Sequence, residues 1–136
     1  MDMNNKVVDF ETARADVDRW LDHKRVSPSK RTNMNDSIDT LTDAIMDGYL
    51  SIDSECRITQ KLRFPLGEDE SIGTLVFKPR LSNMEAKKYL KDIKSSDIDG
   101  RLTSYVSALT GVGKDIINKL DSEDTGIANA VAVFFL

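Results

Sequence analysis

The chain of 136 residues has one cysteine, one histidine, one tryptophan and three prolines, and no apolar run of membrane length. The lone Cys56 closes no intramolecular disulfide, and with His23 as the only histidine it leaves too few soft ligands for a zinc site. No stretch approaches the roughly 18 apolar residues that cross a bilayer. The first twenty residues carry acids where a signal peptide carries a hydrophobic core. These absences predict an intracellular, thiol-reduced protein with no metal, no cofactor and no membrane contact. With 40% apolar and 31% charged residues the chain is too apolar and too periodic for disorder, and its length suits one domain or one core with an appendage.

A net charge of −4 argues against a nucleic-acid binder, which neutralises phosphates with Lys and Arg. That average hides a division. Residues 1–56 hold seven basic and twelve acidic side chains, a net of −5, and residues 57–136 hold twelve basic and eleven acidic, a net of +1. Arg57, Lys61, Arg63, Lys78 and Arg80 make up a basic strip that reads first as a solvated strand face.

Between Asp9 and His23 the apolar residues Ala13, Val17, Trp20 and Leu21 recur at three- and four-residue steps, one face of a helix. Ser27 and Pro28 have the chemistry of an N-cap followed by N1, and Ile38, Leu41, Ile45 and Tyr49 form a second stripe around the stop at Gly48. An acidic helical hairpin over residues 1–56 is therefore expected, with Trp20 packed on Ile38, Leu41 and Ile45. The period then changes to two: Leu50 with Ile52, then Ile58, Leu62 and Phe64, predict strands. The acidic turn Gly67 to Ser71 and the β-branched stretch Ile72–Phe77 complete a β-hairpin over residues 57–78. Ser82 and Glu85 have capping-box spacing, and the apolar faces of Leu90, Leu102 to Leu109, Ile116 to Leu120, and Ile127 to Phe134 predict about four further helices. The fold class expected is α+β: a helical hairpin, a small antiparallel sheet and a C-terminal bundle of about four helices.

Motifs that carry chemistry fail on inspection. Gly111-Val112-Gly113-Lys114 lacks the glycine spacing of a phosphate loop and is followed by Asp115 instead of Ser or Thr. Asp97, Asp99 and Gly100 have the wrong spacing for a calcium loop and read as an interhelical turn. His23 reads as a surface or capping residue and Cys56 as structural. The carboxylate pairs, Asp121 with Asp124 among them, lie beside helix starts or on faces taken as exposed. An enzyme is disfavoured, and no small-molecule substrate is expected.

The run Ala130 to Leu136 is apolar all round, so something must cover both of its sides. Phe134 should continue the buried stripe of Ile127 and Val131. Val133, Phe135 and Leu136 are then candidates for contact with a partner chain, and Lys61, Arg63 and Lys78 are candidates for an electrostatic one.

Residues 57–136 resemble the tail assembly chaperones of long-tailed bacteriophages. The resemblance rests on Phe64-Pro65-Leu66-Gly67, an acidic turn, Leu75-Val76-Phe77-Lys78-Pro79-Arg80, Leu109-Thr110-Gly111, Ile116, Leu120-Asp121 with Asp124, and an apolar helix into Phe134-Phe135. It implies a non-enzymatic protein that holds the tape-measure or tube protein in the host cytoplasm during tail assembly, with other copies of itself as further partners and no catalytic residues. Residues 1–56 depart from the pattern, and an acidic arm there points to the alternative of a structural virion subunit of tail, baseplate or head.

Overall fold

The computed structural model describes residues 7–136. Helix α1 (Phe10–His23) is capped by Asp9, whose carboxylate accepts from the Thr12 N–H at 2.8 Å. That bond holds the Asp9 carboxyl below its usual range. The expected stripe is the buried one: Ala13, Val17, Trp20 and Leu21 all face inward. Ser27 caps α2 (Pro28–Asn33) as expected, but the second helix is not continuous. It breaks at Met34 and resumes as α3 (Asn35–Met46), since Asn33 and Asn35 are poor helix formers flanking the break. Gly48, at φ 83°, then turns the chain through a conformation that side chains resist.

The sheet is antiparallel, in the order β1 (Leu50–Ile52), β2 (Ile58–Leu66), β3 (Ile72–Phe77). Its inner face is Leu50, Ile52, Ile58, Gln60, Leu62, Leu75 and Phe77, and its outer face carries Thr59, Lys61, Thr74 and Val76. The alternation expected for β2 fails at its far end. Gln60 keeps the inner-face period and is fully buried, whereas Phe64 is 56% exposed. The register with β3 slips between Lys61 and Leu66, and there the Arg63 and Phe64 N–H groups donate to the Asp124 carboxylate at 3.0 and 3.1 Å. A slip of this kind re-aims side chains. Asp124 is thus fully buried, not exposed as its neighbours in sequence suggested, and its backbone oxygen also accepts from Gln60 Nε2 at 2.9 Å.

Helices α4 (Asn83–Leu90), α5 (Ile98–Thr110), α6 (Lys114–Ile117) and α7 (Ser122–Ala132) follow, and one 3-10 turn (Val133–Phe135) ends the chain. The predicted interhelical turn is shorter than expected: Asp97 caps α5 through the Gly100 N–H at 2.9 Å, so Ile98 to Gly100 are helical. The fold is α+β, with more helix than sheet.

One core runs through the whole of it. Trp20 of α1 lies edge-on to Phe134, ring centroids 5.4 Å apart, and α7 packs on α3, α5 and β2. Residues 7–56 share this core with residues 57–136, and the boundary at 56 falls between two strands that pair with each other. Arg19 of α1 seals the free edge of β1 by donating to the Ile52 and Asp53 carbonyls at 3.1 and 2.8 Å, and it reaches the buried Cys56 thiol at 3.3 Å. Among the described residues no helix is long and apolar enough to cross a membrane.

Candidate binding cleft

Where β3 hands over to α4, Pro79 stops the strand, Arg80 and Leu81 cross the gap, and Ser82 caps the helix by accepting from the Glu85 N–H at 3.1 Å. This crossing runs past the end of α1 and the C-terminal 3-10 turn, and it leaves an open cleft of about 560 Å³ between them. Lys24, Arg80, Leu81, Ser82, Glu85, Phe134 and Phe135 line it. A smaller recess of about 240 Å³ continues it over Asn83, Ala86 and Tyr105.

Phe135 is the floor. Its ring leans on Trp20 at a centroid distance of 6.5 Å and carries the Lys24 ammonium 3.5 Å above its face. Half-buried Lys24 is held there by the end of α1, and its neighbours are cations. Burial first, then Lys30 and Arg80, pull its pKa down from 10.5 to about 8. Lys30 donates to the Phe134 carbonyl at 3.4 Å, and Arg80 has no ion pair among the described residues. Glu85 is the one acid of the lining and is already engaged: Lys78 Nζ lies 3.1 Å from it and holds its carboxyl below the usual range. The cleft therefore presents positive charge above an aromatic floor with too little negative charge of its own.

Of the partner-binding candidates read from sequence, the structure brings Phe135 to the cleft and sets Lys78 behind it through Glu85. Val133 is half-buried against the core, and Leu136 stands 37% exposed at the chain end. Lys61 projects from the outer face of the sheet. Arg63 stacks on the Tyr49 ring at 4.3 Å and pairs with Glu123 at 3.7 Å. The expected basic strip is thus divided between sheet and cleft, and much of its charge is paired. Lys24 was not among the candidates. Its signal was weak: a basic residue just past the last turn of a helix whose stripe ends in Trp20.

Ser82, the one hydroxyl of the main lining, caps α4 and lies 3.3 Å from Glu85. Among the described residues no three His, Cys, Asp or Glu side chains cluster as a metal site. No family model, no curated protein and no solved structure matches this chain.

Proposed function

We propose that the protein is a non-enzymatic, protein-binding component of phage tail assembly, a chaperone-like partner of the tape-measure or tube protein. The observation that carries the binding role is the cleft: an open, aromatic-floored recess whose cations lack counter-charges suits a protein segment with carboxylates beside an apolar side chain. The tail context rests on the resemblance of residues 57–136. Its punctuation has physical work in the fold, since Gly111 after Leu109-Thr110 takes the left-handed cap of α5 at φ 76°, and Asp121 with Asp124 opens α7.

The alternative, a permanent virion subunit, drew on residues 1–56 as a docking arm. Their helices are packed into the common core, which favours the chaperone reading. Co-expression with the tape-measure and tube proteins of the same tail gene cluster, followed by affinity pull-down, tests it. One of the two should co-purify, and capture of neither contradicts the proposal. Gels of purified mature particles separate the two roles: a departing chaperone is absent, and a structural subunit is present in many copies.

A further inference from the structure

We propose that the cleft is a socket for the acidic turn of a second copy of this chain, so that copies join head to tail. The inference rests on reading the cleft as a protein-binding site. Its test uses this protein alone, so its failure and a failed pull-down are separate results.

The turn between β2 and β3 offers what the cleft lacks. Glu68, Asp69 and Glu70 are consecutive, exposed and without an ion pair among the described residues. Gly67, Asp69 and Glu70 all have positive φ, at 84°, 53° and 58°, which turns the segment outward as a tight tip. Phe64 is exposed at the same end of the hairpin, where the Asp124 carboxylate holds its backbone. The turn thus places three carboxylates near an aromatic ring. Lys24 lies over Phe135, Arg80 shares its lining, and Lys30 reaches the neighbouring Phe134 carbonyl, so three cations gather at the socket.

The same chain cannot join the two. The turn precedes β3 and Arg80 follows it, and six extended residues separate their ends by about 20 Å. A contact between turn and cleft is therefore made between copies, and because the two surfaces differ it is heterologous. Such a contact leaves a free turn at one end and a free cleft at the other, so it propagates into a ring or an open chain.

Charge reversal in the full chain tests this. One variant reverses the socket, Arg80→Glu; the other reverses the plug, Glu68→Lys with Glu70→Lys. All three positions are exposed, and circular dichroism checks that both variants stay folded. Sedimentation velocity at low salt should show the unaltered protein associating with rising concentration, and each variant alone should associate roughly tenfold or more weakly. Mixing the two variants should restore a species of at least two chains, because each then offers the surface the other needs. An unaltered protein that stays monomeric, variants that associate as it does, or a mixture that stays monomeric would each overturn the proposal.

Discussion

The outer face of the sheet and the cleft beside Phe135 both gather cations, and they hold them in different ways. On the sheet side Arg63 has Glu123 and the Tyr49 ring, and Lys78 has Glu85. Lys61 stands in water, where its charge costs little. In the cleft Lys24 is half-buried over an aromatic ring with Lys30 and Arg80 as its charged neighbours. A count of basic residues along the chain ranks the sheet first. Pairing and burial reverse that order, because an interaction site is marked by charge left uncompensated where solvent is partly excluded.

The largest test removes the support beneath the cleft. Trp20 is 1% exposed and holds both Phe134 and Phe135, so Trp20→Ala should cost about 3–5 kcal/mol in chemical denaturation. An unchanged midpoint would detach the cleft floor from the core. On the sheet side the equivalent anchor is Asp124. Asp124→Ala strands the Arg63 and Phe64 N–H groups, at about 1–3 kcal/mol for each donor that stays buried, read by the same denaturation.

A pH test probes the cleft. Lys24 binds its proton less tightly folded than unfolded, so between about pH 8 and 10.5 the unfolded chain holds more protons and stability should rise with pH. Lys24→Met should raise stability at neutral pH and flatten that rise. A slope that survives Lys24→Met would point to another group. The smallest effect belongs to the paired side: Glu123→Gln removes a solvent-screened ion pair and should change stability by about 1 kcal/mol or less.

Much of this architecture is legible in the sequence because local rules and the final packing agree. The α1 stripe is buried as its spacing predicts, Ser82 and Ser27 cap the helices they precede, and Phe134 continues the inward face of Ile127 and Val131. Disagreement begins where a distant residue intervenes. Strict alternation places Phe64 on the inner face with Ile58 and Leu62. Asp124, sixty residues further on, captures the strand backbone at Phe64 and reverses that assignment. The cleft is hidden for the same reason: Lys24 and Arg80 lie 56 positions apart, and neither has a local pattern that announces the other. Nor does the split in net charge at residue 56 mark a structural seam, since one core takes side chains from both sides of it.

That uncompensated charge in the cleft, and not the basic strip of the sheet, governs association is tested most directly by sedimentation of Arg80→Glu beside Lys61→Glu at matched concentration and low salt. Both side chains are exposed and both changes lower net charge by the same amount, so the comparison tests where on the surface the charge is reversed. Arg80→Glu should shift the protein toward monomer while Lys61→Glu sediments as the unaltered chain does. The reverse pattern, or equal loss in both, would contradict the assignment.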